Sequence, residues 1–440
     1  MSRAGYFREK VVAPELGSEQ AAVGELIERS DAAIFVTGRA GCGKSTLLQQ
    51  IKASTRKCAA VLAPTGVAAL NVRGQTIHSF FKFPPRFIDR SVIRRQRNHN
   101  VFQELELLII DEVSMVRADV MDGIDYALRI NRGFDIPFGG VQLVCFGDLF
   151  QLPPVVRGRE LEHFFRRAYG SPYFFSAHVF SEMPLSRVEL TTVYRQTDLQ
   201  FIDLLDAIRE DRLDEDALRL LNRRPADGTE HFDNGVIVLT GTNEAARRIN
   251  ERRLREFPEP AYHYQAELTD RFEPSFYPAD ADLTLKPGAQ VMMLANDPKG
   301  RWVNGTLAHV AELAPARVNV RIGGLVYPVE PVSWERVEYV FDQQTQMIQE
   351  KSVGSFTQYP VRLAWAITIH KSQGKTFDRV IIDVGRGAFA HGQVYVALSR
   401  CRTLDGIRLA VPIRPRDIVF DPQIHEYRRR CRLLKLPGLQ

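Results

Sequence analysis

"AIFVTGRAGCGKSTLLQQIKAS", residues 33–54, decides the fold. Its first six residues are apolar, β-branched or aromatic and end in glycine, which predicts a short buried strand. From Lys44 to Ser54 the apolar residues fall at helical spacing. Between strand and helix, "GRAGCGKS" (38–45) fits G-x-x-x-x-G-K-S in the structural context that gives this motif its meaning. Gly38, Gly41 and Gly43 let the backbone bend so that its N–H groups face phosphate oxygens. The helix N-terminus, with Thr46 in its first turn, adds partial positive charge. Lys44 is placed for the β- and γ-phosphates, and the Ser45 hydroxyl for a Mg2+ ion.

Working outward, "CAAVLAP" (58–64), "LELLIIDE" (105–112) and "VQLVCFGD" (141–148) are further strand candidates, and "RADVMDGIDYALRI" (117–130) is an amphipathic helix. Near-continuous apolar strands alternating with helices mean a parallel sheet covered on both faces. The strand 105–112 delivers Asp111 and Glu112 at its carboxyl end, where open α/β sheets bind ligands. Asp111 is expected in the Mg2+ shell, and Glu112 to orient or deprotonate an attacking water. The strand 141–148 ends in Asp148, within reach of the same acids, and Gln151 follows on a turn stiffened by Pro153 and Pro154.

A second set of strands is expected at "VIVLT" (236–240), "RLAWAITI" (362–369), "RVIIDV" (379–384) and "GIRLAV" (406–411). Between about 262 and 350 the texture changes, and "RVNVRIGGLVYPVEPV" (317–332) alternates around Gly-Gly as a hairpin does. The reading is a small β insertion inside a second α/β domain. A kinase or GTPase needs one such sheet, whereas a motor needs two with the nucleotide between them. The tail "EYRRRCRLLK" (426–435) reads as a solvated basic helix face.

The totals agree. A chain of 440 residues, 45% apolar and 25% charged, has room for about two to four soluble domains. It has no run approaching the ~18 apolar residues of a membrane span. "MSRAGYFREK" lacks an apolar signal region, so a cytoplasmic location is expected. Five cysteines without a CxxC pair argue against a disulfide framework or a cysteine metal site. The net charge of +5 is compatible with a polyanion partner.

Eight segments stand in order along the chain: "APTGVAAL" (63–70), "GQTIHSFF" (74–81), "LLIIDEVSM" (107–115), "PFGGVQLVCFGDLFQLPPV" (137–155), "LTTVYRQ" (190–196), "VNGT" (303–306), "AITIHKSQGKTFDRVIID" (366–383) and "VYVALSRCR" (394–402). Together they resemble the Pif1 family of superfamily 1B DNA helicases, and less closely the RecD and Dda branches. "DVMDGIDYALRINRGFDIPFGG" (119–140) is similar to the Pif1 signature segment in particular.

The resemblance implies an α/β fold of two RecA-like motor domains. The first, 1A, covers 1–225 with a 1B wedge at about 73–100. The second, 2A, covers 226–262 and 350–440, and an SH3-like 2B insertion covers 263–349. It implies an ATP- and Mg2+-dependent helicase that moves 5′ to 3′ on single-stranded DNA and unwinds duplex or structured DNA. Gln20 then recognises adenine, and Gln151 senses the γ-phosphate. Arg195 and Arg400 are arginine fingers, and Gly374 lies near the nucleotide at the domain cleft. Thr65 and Gly66 are expected on DNA phosphates, as are Thr368, His370, Lys371 and Ser372 of the second motor. Asn304 belongs to the clamping insertion, and His78 and Phe80 to the wedge. The residues alone leave "TIHSFFKFPPRF" (76–87) open between a wedge and a small core under a loop. The implied partners are single-stranded DNA and its junctions with duplex, with G-quadruplexes and RNA–DNA hybrids within the family's range, and no membrane. Without DNA a monomer is expected. Two rivals share the ATP motifs: an ATPase that loads or remodels without unwinding, and a signalling or kinase-type protein, which has no use for the second sheet.

Overall fold

In the computed structural model, which describes residues 17–96, 100–156, 158–226, 235–270, 272–342, 344 and 347–435, the glycine-rich loop joins strand β1 (Ile34–Gly38) to the helix Lys44–Ser54. The N-terminal stretch read for a signal region and residues 97–99 of the expected wedge lie outside the described residues. Five more strands complete a parallel sheet: β2 (Ala59–Ala63), β3 (Gln75–Thr76), β4 (Leu107–Ile110), β5 (Gln142–Phe146) and β6 (Ser186–Leu190), in the order β3-β2-β4-β5-β1-β6. Every residue of β1, β4 and β5 is buried. This is why those strands read as unbroken apolar runs: helices cover both faces, and alternation has no solvent side to mark. Val23, Ile27, Leu47 and Leu48 pack one face, and Met121, Ile124, Leu128 and Phe201 belong to the core on the other. Because the strands are parallel, the loop after β1, the acids after β4 and the turn after β5 emerge at one edge.

The second parallel sheet runs Ala366–Thr368, Ile237–Thr240, Val380–Asp383, Ile407–Leu409. Here the expected single strand 362–369 is corrected. Val361–Leu363 pairs antiparallel with Gln290–Met293 in the insertion, and only Ala366–Thr368 enters the parallel sheet. Both halves are apolar because both lie in cores, so composition does not mark the change of sheet.

The insertion is antiparallel. Leu325–Val329, Arg317–Ile322, Leu307–Ala314, Gln290–Met293 and Val361–Leu363 form one sheet in that order. Its predicted hairpin turns at Gly323 and Gly324, both at positive φ (57° and 85°), as a two-residue turn of this hand requires. Glu267–Asp270, Val332–Asp342 and Met347–Gln358 form a second sheet, whose last strand runs across position 350. The long hairpin reaches the first parallel sheet. The buried Tyr339 hydroxyl accepts from the Val61 N–H at 3.1 Å and donates to the Val61 carbonyl at 3.3 Å. It completes the β2 edge, where β3 pairs with only Leu62 and Ala63. Lys52–Glu350 (2.6 Å) and Lys82–Glu338 (3.2 Å) flank the contact.

The tail also differs from its reading as a solvated face. The helix Pro422–Arg430 stacks Tyr427 on Phe175 at 4.2 Å and sends Arg428 to Glu189 (2.9 Å) and Glu210 (3.0 Å). Beyond it, the Arg432 carbonyl and the Leu434 N–H bond Arg187 of β6 (2.7 and 2.8 Å). Arg428, which looked free in sequence, meets carboxylates more than 200 positions away, while Arg429, Arg430, Arg432 and Lys435 stay exposed as expected. Among the described residues no helix is long and apolar enough to cross a membrane.

Candidate functional site

The glycine-rich loop is held from two sides. A Cβ on Gly41 would lie 2.5 Å from the Arg195 Cβ, and one on Gly43 would lie 2.2 Å from the Gln20 Nε2. Both glycines also take positive φ (86° and 79°), so both steric and torsional terms exclude other residues. Gln20 is buried, and both ends of its amide are used. Its Nε2 donates to the Gly43 carbonyl (3.1 Å), and its Oε1 accepts from the Gly17 N–H (3.0 Å). The Lys44 ammonium donates to the carbonyls of Gly38 (2.8 Å) and Arg39 (3.0 Å), which holds it over its own loop. Ser45 is exposed at the second helical position, and Thr46 is half-buried behind it.

Asp111 and Glu112 follow β4. Burial raises both carboxyls, and each also feels another acid: Asp111 feels Glu112, and Glu112 feels Asp148. Lys44 opposes the rise at both, and Arg400 opposes it at Glu112. Glu112 sits at φ 48°, ψ 42°, a left-handed conformation that costs a non-glycine residue on the order of 1 kcal/mol or more. Crowded carboxylates short of positive charge, beside a serine on a phosphate loop, are a donor set that fits a hard divalent cation.

Asp148 is fully buried at the end of β5. It accepts from the Phe150 N–H (3.2 Å), the Gln151 Nε2 (3.3 Å) and the Tyr395 hydroxyl (3.4 Å), and faces the Arg209 guanidinium at 3.5 Å. Gln151 in turn accepts from Gln373 of the second sheet's domain at 3.5 Å.

The two candidate fingers meet from opposite halves. Arg195 Nη1 donates to the Ser399 carbonyl (3.2 Å), and Arg400 donates to the Val396 carbonyl (2.9 Å) and the Ser399 hydroxyl (2.8 Å). Arg400 is 1% exposed and has no carboxylate at ion-pair distance among the described residues. Burial, and then the charge of Arg195, push its guanidinium down to about 9. Gly374 sits at positive φ (76°) beside Gln373, with open space where a Cβ would be.

The expected nucleic-acid residues divide. Thr65 is exposed and caps the helix Gly66–Asn71, its oxygen accepting from the Ala68 N–H (3.2 Å), while Gly66 is buried. His370 is half-buried and Lys371 exposed, and burial lowers both below their ordinary values. Asn304 is exposed and accepts from Lys375 at 2.7 Å, which brings the "VNGT" and "TIHKSQGKT" segments together. Lys375 itself is pushed down to about 8 by burial and the nearby Arg362, a cation the sequence reading missed.

Three expectations are corrected. Thr368 and Ser372 are buried, and their hydroxyls serve the turn: Thr368 accepts from the Lys371 N–H (3.2 Å), and Ser372 donates to the Ile369 carbonyl (2.7 Å). They shape the contact segment rather than face outward. Phe80 is 5% exposed, edge-on to Phe81 (4.9 Å), Phe102 (5.1 Å) and Tyr339 (5.9 Å). The stretch 76–87 is thus largely a small core, and Phe80 presents no face to a base. His78 stays half-buried, edge-on to Phe83 at 6.4 Å.

The signature of the PIF1-like helicase family matches residues 15–218, and that of the UvrD-like helicase C-terminal domain matches 363–404. The chain is 32% identical to the ATP-dependent DNA helicase Pif1 of Bdellovibrio bacteriovorus, over 94% of this chain and 92% of that one. The chain belongs to the Pif1 family. It is 35% identical to human ATP-dependent DNA helicase PIF1 and spans 65% of that protein's length. Unliganded Pif1 from Bacteroides sp., 38% identical, superposes with a TM-score of 0.87 over 94% of this chain and 96% of that one. The same Bacteroides Pif1 bound to single-stranded DNA gives 0.69 at equal identity and equal coverage of this chain. The ADP-AlF4 complex of that relative also gives 0.87, so the arrangement here is nearer to the unliganded and ADP-AlF4 forms than to the form bound to single-stranded DNA.

Proposed function

We propose that the chain is an ATP-dependent DNA helicase that moves along single-stranded DNA, 5′ to 3′, and unwinds duplex or structured DNA. The observation that carries this reading is the meeting of Arg195 and Arg400 at Ser399, from opposite halves of the chain, over the phosphate loop. An ATPase that needs an arginine from its second half hydrolyses only when the halves are closed, so turnover and domain movement become one event.

In this reading 1–225 is motor 1A with a 1B segment at about 73–100, 226–262 with about 364–440 is motor 2A, and about 263–363 is the 2B insertion, because Met347–Gln358 and Val361–Leu363 pair with its strands rather than with the parallel sheet expected to begin at 350. Gln20 reads adenine, and the N–H groups around Gly38, Gly41 and Gly43 hold phosphates with Lys44 and Thr46. Ser45 and Asp111 would hold Mg2+, which when bound supplies charge neutralisation at the phosphates. Glu112 orients the attacking water and takes its proton, as its raised affinity for protons suits. Gln151 reports the γ-phosphate, and Gly374 gives the neighbouring Gln373 freedom to follow. Thr65, Gly66, His370, Lys371 and Asn304 grip the strand, and alternating grips by the two motors advance it. The partners are single-stranded DNA and junctions, with G-quadruplexes or RNA–DNA hybrids as structured substrates, and the protein is a monomer without DNA. The location proposed with it is a bacterial cytoplasm, at the nucleoid, in keeping with a bacterial relative.

The burial of Phe80 favours a second reading, a DNA-stimulated ATPase that remodels or loads without unwinding, because it removes the best aromatic wedge. An unwinding assay with 5′-tailed and 3′-tailed duplexes, with and without ATP, separates the two. ATP-dependent opening of the 5′-tailed duplex is expected. DNA-stimulated hydrolysis with neither duplex opened selects the second reading.

A further inference from the structure

We propose that Tyr395 is a positioning residue of the ATP site: its hydroxyl, supplied by the second motor, ties the phosphate loop to the Asp148–Gln151 turn and carries nucleotide occupancy from one motor to the other. This rests on the reading of the cleft as an ATP site. Tyr395 lies in the helix Gln393–Leu398 and is 3% exposed. A buried phenol must find partners, and Tyr395 finds both in the other motor. Its oxygen accepts from the Ala40 N–H of the phosphate loop at 3.0 Å and donates to Asp148 Oδ2 at 3.4 Å.

The surroundings show a built contact rather than an accident of packing. The helix begins after Gly392, where a Cβ would lie 2.2 Å from the Phe150 carbonyl, so only glycine admits so close an approach. One residue earlier, the His391 ring bonds the Leu149 carbonyl at 3.0 Å. Asp148 also holds Gln151, and Gln151 receives Gln373 of the second motor. The hydrogen bonds thus run from loop to second motor, to the turn, and to the second motor again.

The two links that cross between the motors on this side, Tyr395 to Asp148 (3.4 Å) and Gln373 to Gln151 (3.5 Å), lie just beyond the usual hydrogen-bond range, so a small movement of either motor makes or breaks them. The Ala40 N–H belongs to the loop that faces phosphate. A γ-phosphate entering there draws on the same donor that holds Tyr395. The phenol then leans on Asp148 alone, and Gln151 and Gln373 move with it.

Tyr395→Phe keeps the ring and removes only the hydroxyl. In the full chain with saturating single-stranded DNA, kcat for ATP should fall about tenfold while KM stays within about twofold, because positioning and not binding is lost. Asp148→Asn tests the path. If the two act in one relay, the double variant falls no further than the weaker single variant; independent effects multiply. Wild-type kcat in Tyr395→Phe, multiplied losses in the double variant, or a joint fall of kcat and melting temperature overturns the proposal. Absence of ATP hydrolysis in the wild type, equal to Lys44→Ala, instead overturns the ATP-site reading beneath it.

Discussion

Arg400→Met should separate stability from catalysis, with opposite signs. The guanidinium is 1% exposed and pushed down to about 9, well below the usual guanidinium range, with burial the larger cause and Arg195 the second. Such a lowering corresponds to roughly 4–5 kcal/mol spent on keeping the charge buried. Met fills a similar volume without charge. Against the relief stand two lost hydrogen bonds from a charged donor, to Val396 and Ser399, each about 1.5 kcal/mol or more net. The variant should therefore gain at most about 1–2 kcal/mol, seen as a slightly higher melting temperature.

Hydrolysis should fall about 10³-fold or more, the scale of a lost arginine finger. The pH dependence follows from the same lowering. Below about 9 both folded and unfolded chains carry the charge, and the folded state bears the full cost. As pH rises above about 9 the folded state releases its proton before the unfolded chain does, so the stability gap between variant and wild type narrows. Scanning calorimetry across pH and steady-state ATPase assays test both halves. A variant less stable than wild type that still hydrolyses ATP would refute the assignment of Arg400.

Three shorter predictions accompany it. Lys44→Ala should abolish ATP hydrolysis in a coupled-enzyme assay, since the β/γ charge loses its cation; persisting turnover would sink the phosphate site. Affinity for single-stranded DNA, measured by fluorescence anisotropy, should fall with salt with a log–log slope near roughly −0.7 per phosphate contact, and a flat response would exclude a backbone-tracking face. Phe80→Ala should cost about 3–5 kcal/mol in denaturant unfolding because it opens a cavity among Phe81, Phe102 and Tyr339; lost unwinding at unchanged stability would restore the wedge reading.

Much of the site was legible because its parts are local. The helix Lys44–Ser54 matches its predicted bounds, since a loop that turns on glycines and a helix that follows it are set by neighbouring residues. The Gly323–Gly324 hairpin was legible for the same reason. Lys375 and Tyr395 were not, although both lie inside segments that stood out in the sequence, because their roles depend on distant partners. Lys375 gains its character from Arg362 and the insertion's Asn304, and Tyr395 from Ala40, 355 positions away.

By itself, then, the sequence determined two parallel α/β sheets, a glycine-rich strand-to-helix loop and a β insertion, through glycines at a fixed spacing, acids at strand ends and the period of its apolar residues. Tertiary structure alone decided which of those residues face outward. It sealed Phe80 and Ser372, split 361–368 between two sheets, and returned the tail to β6. The reason is physical: backbone geometry depends on adjacent residues, whereas burial and hydrogen-bond partnership depend on whatever the folded chain brings alongside.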